Sequence, residues 1–100
     1  MILINVFMDL DKKLEKYFKV TEKALGKVKI NEKVKINIKE SAEDFLDMAE
    51  RYFKDAKYFR DKGDKLTAFA ALNYAHGWLD AGARLGLFKV KDGKLFVLKK

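Results

Sequence analysis

The chain has 100 residues, 49% hydrophobic and 37% charged, which suits one folded domain and argues against a disordered chain. It has no cysteine and a single histidine, so disulfide frameworks, thiol nucleophiles and cysteine zinc sites are excluded. The net charge of +7 is spread unevenly, at +5 over residues 1–39, −2 over 40–88 and +4 over 89–100, so any electrostatic partner surface is expected toward the two ends.

The apolar opening Met1 to Phe7 lacks the basic region and small-residue cleavage site of a signal peptide. No stretch approaches the roughly 20 apolar residues of a spanning helix, and a cytoplasmic protein without membrane contact is expected. Proline and glutamine are absent while Lys abounds, which leans toward a thermophilic source.

From about residue 9 to 26, Leu10, Leu14, Tyr17, Phe18, Thr21 and Leu25 recur at helical spacing, with most charges outside that stripe. Asp9 or Asp11 is placed to cap this first helix, and Gly26 to end it in the left-handed conformation. Residues 27–39 then alternate apolar and polar side chains, which predicts short strands over about 28–38 turning at Asn31-Glu32, or a loop if no partner covers them.

Ser41-Ala42-Glu43-Asp44 has the form of a capping box and predicts a second helix over about 41–62. Its apolar stripe includes Phe45, Leu46, Ala49, Tyr52, Phe53, Ala56 and Phe59, and Asp47 with Arg51, Glu50 with Lys54 and Lys57 with Asp61 are spaced for ion pairs. Gly63-Asp64 couples a helix-ending glycine to a helix-starting aspartate, so a third helix, over about 65–87, must fold straight back antiparallel.

The third helix is apolar around most of its circumference, as expected of one covered on more than one side. Ala68, Ala71, Ala75 and Gly82 fall on one line and form a candidate helix-contact groove, able to seat the first helix or a second copy of the chain, with packing inside one chain favoured. After it, Asp92-Gly93 between alternating segments predicts a β-hairpin over about 88–98, to which Met1–Phe7 is a candidate third strand.

A polar stripe of Asn73, His76, Gly77, Asp80 and Arg84 interrupts the third helix, with Tyr74 close by. Read functionally, His76 and Asp80 form a proton-transfer or metal pair and Arg84 binds an anionic group. Read structurally, Asp80 pairs with Arg84, His76 and Asn73 bond a neighbouring backbone, and Gly77 permits close contact. The structural reading is favoured, because a metal centre takes about three protein ligands and the chain has one histidine; no metal, cofactor or catalytic residue is assigned. Ser41 is the only serine and reads as a cap.

The run from Ala42 to Phe59, then Lys62-Gly-Asp64, then Ala68 to Phe88 with its string Tyr74-Ala-His-Gly-Trp-Leu-Asp-Ala-Gly82 and Arg84-Leu-Gly86, resembles the archaeal family catalogued as domain of unknown function 357. The resemblance covers about half the chain. It implies an up-and-down three-helix bundle in a small archaeal protein, brings no activity, and fits a natural start at Met8.

The expectation is therefore a single all-α domain over residues 1–100, an up-and-down three-helix bundle with a small peripheral β-hairpin near the C-terminus. Its function is expected to be that of a non-enzymatic helical module binding a protein partner or itself as a homodimer. The alternatives are a nucleic-acid accessory protein using the Lys-rich first helix and tail, and a ligand or hydrolytic site around His76, Asp80 and Arg84.

Overall fold

A computed structural model describes residues 10–97 of the protein. The Met1–Phe7 strand, the start at Met8, the Asp9 cap and Leu98 at the end of the expected hairpin lie outside those residues. Three helices follow in order, α1 (Leu10–Lys27), α2 (Ile38–Asp61) and α3 (Lys65–Leu85), and no strand occurs among the described residues. The chain divides between Lys35 and Ile36 into two compact units.

In the first unit, Leu10, Leu14, Phe18 and Leu25 of α1 are exposed, Tyr17 is half-buried, and Lys13, expected outside the apolar stripe, is buried. Gly26 does not end the helix. The Val28 N–H still donates to the Ala24 carbonyl at 3.2 Å, so the helical bonding runs past Gly26, and left-handed glycines are found only at Gly63 and Gly86 among the described residues.

The alternating segment that follows forms no strand. Val28, Ile30 and Val34 are all exposed, and alternation selects a strand only when one of its faces is covered. Within it, Asn31 Oδ1 accepts the Lys33 N–H at 3.1 Å in a turn.

In the second unit, α2 begins three residues before the expected capping box. Asn37 is the cap, with its Oδ1 accepting the Glu40 N–H at 3.0 Å, and the Ser41 N–H already donates to the Asn37 carbonyl at 3.0 Å. Asn-x-x-Glu is as good a start as Ser-x-x-Asp, and using it adds most of a turn of helix. Of the three expected ion pairs, Asp47 meets Arg51 at 2.8 Å, whereas Lys57 lies over the Phe53 ring at 4.6 Å. Asp61 has Arg60 at 3.5 Å.

The reversal between α2 and α3 rests on two residues. Gly63 sits at φ 82°, where its N–H donates to the Arg60 carbonyl and the next N–H, of Asp64, donates to Phe59 at 2.9 Å. The Asp64 carboxylate then accepts both the Thr67 N–H at 3.1 Å and the Thr67 hydroxyl at 2.6 Å. One residue thus closes α2 with its backbone and opens α3 with its side chain.

Among the described residues, the buried hydrophobic ones are Ala49, Tyr52 and Ala56 of α2 and Ala68 and Ala75 of α3. Four of these five are alanines, which lets two helices approach toward the low end of the usual interaxial range, about 8 Å. The helix α3 stops two residues before the expected end: Gly86, at φ 83°, turns the chain and the Leu87 N–H donates back to the Gly82 carbonyl at 2.8 Å.

The C-terminal hairpin is replaced by a helical turn. The Asp92 carbonyl accepts the N–H groups of Leu95 and Phe96 at 3.2 and 3.1 Å, and its Oδ1 accepts that of Lys94 at 2.8 Å. Those are donors a ladder would need, and the Val97 N–H is taken by Asp80 at 3.0 Å.

Candidate functional site

The polar stripe of α3 is tied to the C-terminal segment through His76 and Asp80. His76 Nε2 lies 3.5 Å from Asp80 Oδ1, one helical turn on, and the same Oδ1 accepts the Val97 N–H at 3.0 Å. The Phe96 ring stacks on the imidazole with centroids 6.3 Å apart and planes 23° from parallel. His76 and Asp80 therefore clasp the end of the C-terminal segment against α3, using the carboxylate as an acceptor for a strand-like N–H that has no ladder.

Other residues of the stripe are less engaged. Asn73 and Arg84 are exposed, and Arg84 makes no ion pair among the described residues, so the expected Asp80–Arg84 pair gives way to Asp80–Val97. Gly77 is exposed, and a Cβ there would meet nothing within 4 Å, so it permits no close contact. No group of three or more metal-ligating side chains occurs among the described residues.

The small-residue line is covered unevenly within the second unit. Ala68 and Ala75 are buried opposite the alanines of α2, Ala71 is half-buried, and Gly82 leaves the space taken by the Phe88 ring, which a Cβ would overlap. The C-terminal segment is thus fixed to α3 at three points: Phe88 on Gly82, Phe96 on His76 and Val97 on Asp80.

The two flanks of the α2–α3 seam differ. On one, Phe45 meets Trp78 edge-on at 5.0 Å, Tyr52 meets Tyr74 at 4.4 Å, and Tyr74 meets Trp78 at 6.3 Å. Burial, with Tyr74 and then Asp55 adding to it, holds the Tyr52 hydroxyl above the usual tyrosine range.

On the other flank an apolar trough runs along the seam. One part, of about 450 Å³, is lined by Phe53, Ala56, Ala68, Phe69 and Leu72 with Lys57, Arg60 and Lys65 at its rim. The other, of about 400 Å³, shares Phe53 and Leu72 and continues to Leu46, Leu79, Glu50 and His76. Phe53 is 48%, Phe69 63% and Leu72 43% exposed. Sequence reasoning placed Phe53 on the apolar stripe of α2 and read α3 as covered on more than one side, because periodicity marks an apolar face without saying whether anything covers it.

The lining follows the spacing i, i+3, i+4, i+7 on both helices, from Leu46 to Arg60 and from Lys65 to Leu79. A third helix of about four turns, roughly 20 Å, is the shape that spacing accepts. Among the described residues no helix is long and apolar enough to cross a membrane.

The family model described as "Protein of unknown function (DUF357)" matches residues 16–88, and so takes in α2, α3 and the turn between them. No curated protein and no solved structure matches the chain.

Proposed function

The chain belongs to the DUF357 family, and from that premise we propose that the α2–α3 pair is a non-enzymatic interaction module whose trough receives an amphipathic helix. One observation carries this reading: three large apolar side chains, Phe53, Phe69 and Leu72, stand together in one groove with roughly half of each surface open. Contiguous exposed apolar surface of this kind marks a contact site, and anchors at helical spacing suit a helix laid in a groove. A cytoplasmic setting in a heat-adapted archaeon goes with a cysteine-free chain rich in Lys.

The test is photo-crosslinking in cells from a benzoylphenylalanine placed at Phe69, with the same probe at Arg51, on the charged face of α2, as control. A discrete adduct from position 69 and none from 51 is expected. No adduct from position 69, or equal labelling from both, would remove the trough as a docking surface.

A further inference from the structure

The trough carries its charge unevenly along its length, and that pattern selects an occupant. Lys57, Arg60 and Lys65 rim one part, while Glu50 is the one formally charged side chain of the other. Phe53 and Leu72 line both parts and so mark the middle. Glu50 lies three residues before Phe53 and Lys57 four residues after it, on the same edge of α2. Lys57 is held at the lip by its contact with the Phe53 ring.

Resting on the reading of the trough as a helix-docking surface, we infer that its occupant is the α2–α3 pair of a second copy of this chain, related by a two-fold axis passing near Phe53. In such an interface each contact occurs twice, residue i against j and j against i. Antiparallel α2 helices crossing at Phe53 set Glu50 of each copy opposite Lys57 of the other, and bring the basic end of each trough to the acidic end of its mate. Phe53 and Phe69 supply the apolar contact that drives association. The paired charges fix register and orientation, as flanking charges do in coiled coils, and add little affinity of their own. The result is a four-helix arrangement with both troughs closed.

The experiment measures the solution mass of the full chain by sedimentation, for the natural protein, Glu50→Lys, Lys57→Glu and an equimolar mixture of the two variants. Both sites are exposed, and circular dichroism confirms that helix content is kept. The natural chain is expected to be a dimer. Each variant alone places like charges at both pairs and is expected to weaken the dimer by roughly tenfold or more. The mixture is expected to restore it. In a mixed pair the Glu50 kept by one copy meets the Lys57 kept by the other, and the two introduced charges meet each other, again opposite in sign.

A dimer indifferent to both variants, or a mixture that fails to recover, overturns the two-fold pairing. A natural chain that stays monomeric at high concentration overturns the second copy as occupant. In that case, an adduct from position 69 with another protein, or one closing on α1 within a single chain, leaves the trough standing as a docking surface with a different helix in it; no adduct removes both readings.

Discussion

Tyr52 and Phe53 are neighbours in sequence, both aromatic, and they meet opposite fates on the two flanks of one seam. Tyr52 is 6% exposed and packs on Tyr74, whereas Phe53 is 48% exposed and is covered on one side by the stem and ammonium of Lys57. The flanks differ in what each helix sends across. On the Tyr52 side Phe45, Tyr74 and Trp78 are large enough to meet over the seam; on the Phe53 side the alanines at 49, 56, 68 and 75 leave a channel that Phe53, Phe69 and Leu72 line without bridging. Closure of a helix pair thus depends on the reach of the side chains flanking the seam, and an alanine seam closes itself only where aromatics bracket it.

The largest expected effect breaks the closed flank. Tyr52→Ala should destabilise by about 3 to 5 kcal/mol, the usual range for truncating a buried aromatic. Phe53→Ala, measured by thermal unfolding at a dilution where the chain is monomeric, should cost about 1 kcal/mol, since roughly half of its surface stays in water within its own chain. Equal losses from the two would erase the distinction between the flanks.

The seam itself comes next. Ala75→Leu inserts three carbons between closely packed helices, and Gly82→Ala drives a methyl into the Phe88 ring; each should cost about 1 to 3 kcal/mol. They separate by where the damage spreads. Gly82→Ala should raise amide exchange at Val97, whose N–H is held by Asp80, while Ala75→Leu should leave that amide protected.

These contrasts also mark how far the sequence was legible. The turn at Gly63-Asp64 could be read because its signals are local: a glycine at φ 82° and a carboxylate three residues before the N–H it accepts. The antiparallel pair followed from that turn. The misread segments depended on distant partners. Alternation at 28–38 needs a covering surface to become a strand, and Asp92-Gly93 turns a hairpin only if the next N–H groups are left for a ladder instead of bonding Asp92 itself.

The site divides in the same way. His76 and Asp80 stand one helical turn apart, as their spacing dictates, but their other contacts lie some 17 to 20 positions along the chain, in a segment expected to pair with itself. Nothing local announces that an aspartate on α3 will accept the N–H of Val97. The trough was invisible for a complementary reason: its residues were recognised as apolar, and only the size of the residues opposite decides whether they are covered.

A pH series sharpens the closed flank by a smaller amount. Because the Tyr52 hydroxyl is held above its ordinary value of 10.0, the unfolded chain loses that proton first as pH rises. The unfolded state then binds fewer protons than the native one, so the contribution of Tyr52 is intact below about pH 10 and is lost as pH climbs from there through the raised native value. Thermal midpoints should therefore fall more steeply above pH 10 in the natural protein than in Tyr52→Phe. Parallel curves would mean that Tyr52 titrates as it does in the unfolded chain.

The smallest effect should have the opposite sign, and it lies away from both flanks. Gly77 sits in the middle of α3, exposed and with nothing within 4 Å of where a Cβ would stand, whereas Gly82, five residues on, has the Phe88 ring in that place. A helical glycine without a packing role carries only its entropic cost, so Gly77→Ala should raise stability by about 0.5 to 1 kcal/mol in chemical denaturation. It should do so without changing solution mass, because the trough does not include residue 77. A loss of stability at Gly77→Ala would mean that a surface absent from the α2–α3 pair approaches this face of α3 closely, and would move the search for a partner from the trough to the polar stripe.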